Sequence, residues 1–148
     1  MLSVIRNSSA VILIIGVFFL LWSGCSKNSD TVNNIPYVGV SFSINPNSTE
    51  YIHLNTVDGW EYLTGGYKGI LVFRKSVTEF VAFERACPYD WQNTNARINI
   101  DTSGITAYCP VCKSKYVLID GTPYNGPSRY PLRQYQTSYD GNLLYISN

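Results

Sequence analysis

The sequence contains a single histidine, His53, and this scarcity limits the chemistry that the chain can carry out. No recognisable motif places His53 with a serine and an aspartate as a Ser–His–Asp set, and none places two carboxylates together for acid–base work. We therefore predict no catalytic residues. His53 falls in a short segment, Tyr51 to Leu54, that we interpret as a strand, and we predict no ligand role for it.

Charge of either sign is also sparse, because only 14% of the residues are charged and the formal net charge is +1. Arg6 is the only charged residue before Lys27, and beyond residue 24 the basic and acidic residues are equal in number. A nucleic-acid-binding domain needs a basic patch, so we expect no nucleic acid partner. The same balance disfavours electrostatic attachment to an anionic membrane.

Long apolar runs are absent after the N-terminus, where Ala10 to Trp22 forms one run of thirteen residues. A helix that spans a bilayer needs ~20 apolar residues, so this run is short for a permanent anchor. Arg6 before the run and Ser23-Gly24-Cys25 after it give the pattern of a secretory signal.

Small residues directly before Cys25 resemble the lipobox of bacterial lipoproteins. The resemblance implies cleavage after Gly24 and attachment of lipid to Cys25. We therefore predict a signal peptide over 1–24, a lipidated cysteine with a flexible tether over 25–35, and one domain over 36–148. The predicted location is the bacterial cell envelope, facing the periplasm or the cell surface, with membrane contact through the lipid.

The chain beyond the tether shows no sustained helical period, and its apolar residues instead occur in short runs bounded by turn residues. Alternation is clearest in Tyr37 to Ile44, where the apolar side chains fall on every second residue. Short strands at regular spacing predict an all-β sandwich or barrel-like domain. The predicted strands are 37–44, 51–54, 69–73, 79–83, 97–101, 104–108, 115–119 and 143–146.

Four cysteines are present, and the predicted lipid would occupy Cys25. The other three, Cys87, Cys109 and Cys112, cannot all pair with one another inside one chain. Export would place them in a compartment that permits disulfides. The odd number therefore indicates that at least one thiol is free or binds a metal or cluster.

Two cysteine loops follow predicted strands, and each begins with Cys-Pro. The first loop is Cys87-Pro88-Tyr89-Asp90, and the second is Cys109-Pro110-Val111-Cys112-Lys113-Ser114. Proline fixes the backbone bend, and such loops supply amide donors to thiolates. The residues after Cys112 predict a strand and not a helix, which disfavours a thioredoxin-like redox site.

The two loops and the sequence after them resemble the Rieske iron–sulfur domain family. Nineteen residues separate Tyr89 from Cys109. The matching features are the two Cys loops, a Ser, an aromatic strand, a Gly turn and a Gly-Pro…Pro-Leu segment, at Cys87, Cys109, Ser114, Tyr116, Gly121, Gly126-Pro127 and Pro131-Leu132. The resemblance implies a Rieske-like antiparallel β-sandwich with a small cluster-binding subdomain formed by the two Cys loops. It also implies a [2Fe–2S] cluster and electron transfer.

The ligand positions of that family are only partly retained here. A Rieske centre has two Cys on one iron and two His on the other. Cys87 and Cys109 match the cysteines, whereas Tyr89 and Cys112 stand where the histidines would be. The resemblance therefore implies Cys87, Tyr89, Cys109 and Cys112 as cofactor-binding residues, and the three cysteines as metal ligands.

Two supporting positions match as well. The resemblance implies that Ser114 and Tyr116 donate hydrogen bonds to a cluster sulfide and to a ligand sulfur, which tunes the potential of such a centre. Lys113 replaces the family's Gly, so that backbone position is no longer free to adopt any φ. Larger members of the family carry a second domain with mononuclear iron; we expect none here, and predict an electron carrier or binding module more than an enzyme.

Two alternatives to a cluster stay open. The resemblance implies that Cys87 and Cys109 lie close together, so they could form a disulfide in an oxidising compartment, which would leave Cys112 as a free thiol and the domain as a cluster-less scaffold or binding module. A structural zinc ion on the three cysteines, with Asp90 as the fourth ligand, is the other alternative. For an electron carrier we expect a redox protein partner.

Overall fold

The computed structural model describes residues 34–148, which form ten strands and one 3₁₀ helix. The helix is Thr49–Asn55, and the strands are β1 Ser41–Ile44, β2 Trp60–Leu63, β3 Ile70–Arg74, β4 Phe80–Glu84, β5 Asn99–Ile100, β6 Thr106–Tyr108, β7 Lys115–Val117, β8 Pro123–Asn125, β9 Gln134–Tyr139 and β10 Leu144–Ser147. The predicted signal peptide, Cys25 and nearly all of the predicted tether lie outside the described residues. Within residues 34–148, no helix is both long and apolar enough to cross a membrane.

The strands form two sheets in which every pairing is antiparallel. The larger sheet has six strands in the order β1-β10-β9-β4-β3-β2, and the smaller has four in the order β5-β6-β7-β8. The first Cys loop leaves the larger sheet after β4, and the second joins β6 to β7 in the smaller sheet. This arrangement confirms the predicted fold class, an all-β protein with a small subdomain that carries Cys loops.

Strands β3 and β4 are buried at every position, because each of their faces packs against a different core. Leu71, Phe73 and Phe83 lie in one core, which also contains the apolar residues of the smaller sheet and the Cys loops. Val72 and Ala82 lie in the other core, together with residues of β1, β9 and β10. Buried strands of this kind give continuous apolar runs such as Ile-Leu-Val-Phe, since no residue needs to face water.

Seven of the predicted strands overlap strands of the structure, and one prediction is wrong. Tyr51–Leu54, with His53, belongs to the 3₁₀ helix Thr49–Asn55 and not to a strand. Only Leu54 of this segment is buried, whereas His53 is exposed. One buried residue among seven suits a short helix that lies over the core, and four residues are too few for the sequence to separate the two periods.

Three strands were not predicted: β2, β8 and β9. All four residues of β2 are partly buried, so its sequence shows no alternation. Strand β8 begins at Pro123 on the edge of its sheet, a position that tolerates a missing amide donor. Strand β9 is rich in polar residues, and it forms because β4 and β10 offer edges on both of its sides.

A buried carboxylate at the end of β4 fixes the loop between β2 and β3. Glu84 is 1% exposed. Its carboxylate accepts hydrogen bonds from the backbone amides of Tyr67 at 2.6 Å, Lys68 at 2.8 Å and Ala86 at 3.0 Å, and from the Tyr135 hydroxyl at 2.8 Å. A buried charge is tolerated when its lone pairs are occupied in this way.

We predict that Glu84→Gln destabilises the protein by about 2–4 kcal/mol, because an amide has one acceptor oxygen and its NH₂ group would face donors. Urea unfolding would measure the loss as a lower midpoint. The control is Glu79→Gln, which makes the same chemical change at an exposed residue whose partner is Lys75 at 3.9 Å. That variant should lose about 0.5 kcal/mol or less. Equal losses for the two variants would contradict the role of Glu84.

Candidate metal centre

The first Cys loop is held by the backbone at its start. Ala86, just after β4, forms an isolated antiparallel bridge with Arg97. The amide of Cys87 donates to the carbonyl of Ala96 at 3.1 Å, so the chain from 87 to 96 closes into a compact loop. Its two ends are pinned, and Cys87 is therefore directed inward and is fully buried.

The second Cys loop is a tight connection between β6 and β7. The amide of Cys109 donates to the carbonyl of Ser114 at 2.9 Å, and the amide of Lys113 donates to the carbonyl of Cys109 at 3.0 Å. Lys113 has a φ of 64°, the left-handed conformation that Gly adopts without strain. A lysine thus occupies the position expected to need Gly, at a cost of roughly 1–2 kcal/mol. Its ammonium donates to the carbonyl of Pro110 at 2.7 Å inside the same loop.

The two loops bring the three predicted thiols together. The sulfurs of Cys87, Cys109 and Cys112 all lie within 4.8 Å of one another. The distance between Cys87 Sγ and Cys112 Sγ is 3.5 Å. Cys87 and Cys109 are inaccessible to solvent, whereas Cys112 is partly exposed. The cluster therefore has one side that faces the core and one that reaches the surface.

Tyr116 and Ser114 contact this cluster from the core side, and both are fully buried. The Tyr116 hydroxyl lies 3.7 Å from Cys87 Sγ, within hydrogen-bonding distance for sulfur. The Cys112 thiol donates to Ser114 Oγ at 3.1 Å, and Ser114 Oγ also accepts the amide of Ser128 at 3.0 Å. Both side chains thus sit beside cysteine sulfurs, as hydrogen-bond partners of ligands do.

Ser128 and Gly126 are parts of the site that the sequence did not assign. A Cβ on Gly126 would lie 2.5 Å from the Cα of Ser114, and Gly126 has a φ of +94°. Only Gly fits this approach, which lets the amide of Ser128 reach the Ser114 hydroxyl. The Gly126-Pro127 segment was the available signal, because a glycine in such a position often permits a close backbone approach.

Their surroundings shift the pKa values of Cys87 and Cys109 in opposite directions. The pKa of Cys109 falls to about 6 because the Cys87 thiol donates a hydrogen bond to it, and because the amides of Cys112 and Val111 donate to the same sulfur. The pKa of Cys87 is raised by that shared hydrogen bond with Cys109 and by burial. Burial also raises the pKa of Tyr116, which keeps its hydroxyl proton available for donation. The pair Cys87–Cys109 therefore holds one negative charge at neutral pH.

The structure does not place every predicted residue in the cluster. The Tyr89 side chain is 54% exposed, and the described contacts do not include one between its hydroxyl and a cysteine sulfur. Asp90 is not a member of the group of ligating atoms within 4.8 Å in the described chain. The backbone amides of Tyr89 and Asp90 donate to Cys87 instead. His53 stacks on Trp60 with the ring centroids 6.4 Å apart.

All three described cysteines are free thiols in this structure. The disulfide between Cys87 and Cys109 stays a prediction for the oxidised protein. The short distance from Cys87 Sγ to Cys112 Sγ makes these two cysteines a second pair that can be oxidised.

Comparison with known proteins gives matches at the level of structure only. No protein-family model matches the chain, and no curated protein matches its sequence. The ferredoxin of carbazole 1,9a-dioxygenase from Nocardioides aromaticivorans IC177 is similar at 16% identity and a TM-score of 0.43, over 62% of this chain and 86% of that chain. A Mycobacterium tuberculosis protein described as an NADH-dependent nitrite reductase small subunit is similar at 14% identity and a TM-score of 0.45, over 76% of this chain and 97% of that chain.

A third similar structure is a chain of the complex of reduced oxygenase and oxidized ferredoxin in carbazole 1,9a-dioxygenase, at 18% identity and a TM-score of 0.41, over 62% of this chain and 82% of that chain. At TM-scores of 0.41 to 0.45 these likenesses carry no argument about what the chain does. The chemistry of the site rests on its own side chains.

We predict that the stability of the metal-free, reduced protein passes through a maximum with pH. The folded pKa of Cys109 is lowered to about 6, so its contribution is lost as the pH falls through that value and is complete above the unfolded pKa of roughly 8.5. The folded pKa of Cys87 is raised, so its contribution is lost as the pH rises beyond roughly 8.5. Stability should therefore rise from about pH 6 to about pH 8.5 and then decline.

Urea midpoints measured across this range, with a chelator and a reductant present, would test the prediction. Cys109→Ser provides the control. Subtracting its profile of urea midpoint against pH from the wild-type profile removes the contributions of other titrating groups. A wild-type profile that parallels that of Cys109→Ser would show that the thiol pair carries no such charge.

Proposed function

We propose that Cys87, Cys109 and Cys112 bind a [2Fe–2S] cluster and that the domain is a one-electron carrier. The observation that carries this proposal is that two loops bring three thiols together, with the buried hydroxyls of Tyr116 and Ser114 beside their sulfurs. Thiolates are the usual ligands of iron–sulfur clusters. When bound, such a cluster would accept and release one electron reversibly.

The residues around the thiols fit this group in their donor chemistry. Cys87 and Cys109 would bind one iron, and Cys112 would bind the other together with Tyr89 or water. Tyr116, at 3.7 Å from Cys87 Sγ, and Ser114 are buried hydroxyls that can donate to sulfur. Amides of both loops donate to Cys87 and Cys109, which stabilises the negative charge of thiolates in a buried site.

Thiolate ligands also determine whether the redox potential lies above or below that of a His-ligated centre. A thiolate in the place of a neutral imidazole makes the site more negative, and added negative charge disfavours the reduced state. We therefore expect a potential near the roughly −400 mV of plant-type ferredoxins, below the roughly −150 to +300 mV of His-ligated Rieske centres.

A single tetrahedral metal ion such as zinc is the second candidate, and the sulfur spacing favours it. In a tetrahedral site with metal–sulfur bonds of ~2.3 Å, neighbouring sulfurs lie roughly 3.8 Å apart. All three sulfurs within 4.8 Å of one another match ligands of one ion. Ligands on the two irons of a [2Fe–2S] cluster stand farther apart, so the cluster requires Cys112 to move outward. The partial exposure of Cys112 leaves room for such a movement.

We predict that the full chain, purified anaerobically from iron-replete cells, contains two irons and two acid-labile sulfides and shows visible charge-transfer bands. Loss of a residue that hydrogen-bonds a metal ligand weakens metal binding by roughly 10–100-fold. Cys112→Ser removes a ligand itself and should therefore weaken binding by more than that. Tyr89→Phe should alter the bands only if the phenolate is a ligand. Elemental analysis, a sulfide assay, EPR and voltammetry measure these quantities.

Two outcomes would contradict the cluster. A colourless, sulfide-free chain with one zinc ion would establish the second candidate. A metal-free chain with one disulfide and one free thiol would establish the scaffold, and mass spectrometry would show whether Cys87 is joined to Cys109 or to Cys112. A potential near zero in a cluster-containing chain would contradict anionic ligation.

We further propose that the protein is anchored to a membrane of the bacterial envelope by lipid on Cys25. The support comes from the apolar run Ala10 to Trp22 and from Ser23-Gly24 before the cysteine. A carrier held at a membrane would exchange electrons with a redox protein partner at the same surface.

We predict that Cys25→Ser abolishes the incorporation of a labelled fatty acid into the chain and releases the protein from the membrane fraction, because one thiol carries the lipid. Metabolic labelling and fractionation of bacterial cells measure both effects. Ser26→Ala, at the next residue, is the control and should leave labelling unchanged. Labelling that survives Cys25→Ser would contradict lipid attachment at this residue.

A further inference from the structure

A cleft of about 390 Å³ lies beside the thiol cluster, at the ends of β2 and β4. The loop Thr64 to Gly69 forms one wall, and residues near the first Cys loop form the other. The residues used below are Tyr62, Gly66, Lys68, Arg85 and Arg97, all of which line the cleft.

Three of these residues are cations, and the cleft lining contains no carboxylate. Within residues 34–148 none of Lys68, Arg85 and Arg97 forms an ion pair, since the ion pair found there joins Lys75 to Glu79. The whole chain has a formal net charge of only +1, so three cations at one cleft are a local concentration of charge. Such a focus of positive charge attracts anions.

Arg85 is 8% exposed and forms no ion pair among residues 34–148, yet its side chain is fixed in place. Its Nε donates to the carbonyl of Ile98 at 3.0 Å, and Nη2 donates to Asn99 Oδ1 at 3.0 Å. The guanidinium lies 3.5 Å from the centroid of the Tyr62 ring. Nη1 takes part in neither of these two hydrogen bonds. A guanidinium held by packing loses little freedom on binding a ligand, which favours recognition of a planar or tetrahedral oxyanion.

The cations also oppose one another across the cleft. Burial lowers the pKa of Lys68, and the positive charge of Arg97 also lowers it, while the negative charges of Cys87, Cys109 and Glu84 act in the opposite direction. The pKa of Arg85 is lowered in the same way, first by burial and then, among other groups, by Arg97. Arg97 is exposed, so it is free to approach a bound group. An anion between the three side chains would relieve their mutual repulsion.

The loop that carries Lys68 is rigidly placed. Gly66 has a φ of +62°, and a Cβ there would lie 2.3 Å from the Tyr135 hydroxyl and 2.5 Å from Glu84 Oε2. The loop therefore packs against the buried carboxylate that binds the amides of Tyr67 and Lys68. Glu84 lies behind this loop with its oxygens occupied by these donors; its charge acts on Lys68 and Arg85, but its carboxylate is not part of the cleft lining.

We propose that this cleft binds a small oxyanion of the phosphate or sulfate type, held by Lys68, Arg85 and Arg97. Its volume suits a small ligand, and its charge selects an anion with several acceptor oxygens. The ammonium of Lys68 already donates to the carbonyl of Asn93, which leaves it two further protons for a ligand. None of the three cysteines lines this cleft.

Isothermal titration of the full chain with inorganic phosphate, at constant ionic strength in chloride, tests the proposal. We expect saturable binding of one phosphate per chain. Arg97→Gln should weaken binding about tenfold or more, the usual effect of losing a hydrogen bond between charged groups. Arg129→Gln, an equal loss of charge at an exposed residue outside the cleft lining, should leave affinity unchanged.

The same titrations with sulfate and with acetate distinguish the class of anion. Phosphate or sulfate binding more tightly than acetate supports an oxyanion site, and tighter binding of acetate overturns it. Absence of saturable binding, or equal weakening by Arg97→Gln and Arg129→Gln, also overturns the proposal. Circular dichroism checks that the variants fold, and Lys68→Gln gives a second, independent loss of a cleft cation. The phosphate titration is repeated with the metal-free and the metal-loaded chain. Comparing the two distinguishes phosphate binding in the cleft from any effect of what the cysteines bind.

Discussion

Two strands that are buried on both faces, β3 and β4, are the constraint on which the rest of the structure depends. Alternate residues of these strands enter two different cores. Other parts of the chain complete each core. The smaller sheet packs on one side, and β1, β9 and β10 pack on the other. The Cys loops belong to the first core, so their geometry is as rigid as the packing behind them.

The turn that leaves β4 serves the fold, the cleft and the thiols through residues that are adjacent in sequence. Glu84 fixes the loop between β2 and β3 through its buried carboxylate. Arg85 lines the cationic cleft, Ala86 pairs with Arg97, and Cys87 contributes a thiol. Lys68 and the thiols are near enough for their charges to interact, because Cys87 and Cys109 both act on the pKa of Lys68. Events at either site should therefore be felt electrostatically at the other.

Much of the site was predictable from sequence because its signals are local. The resemblance carried by two Cys-Pro loops, a Ser, a Tyr and a Gly-Pro segment implied Cys87, Cys109, Cys112, Ser114 and Tyr116 as one site. The structure brings these five side chains together, and the cofactor they would bind stays a prediction. The class of the fold followed in the same way from short apolar runs and turn residues. The errors occurred where local patterns are weak, as in Tyr51–Leu54, which four residues could not distinguish from a strand.

The sequence by itself determined the all-β class, the presence of two Cys loops and the absence of a histidine pair, since these depend on composition and short-range order. Only the tertiary structure decided that β9 pairs with β4 and that Gly126 approaches Ser114. It also decided that Lys68, Arg85 and Arg97 meet at one cleft without a carboxylate, and that Tyr89 stays largely exposed. Each of these features joins residues far apart in the chain, and such contacts are set by the packing of the two cores, which no local pattern encodes.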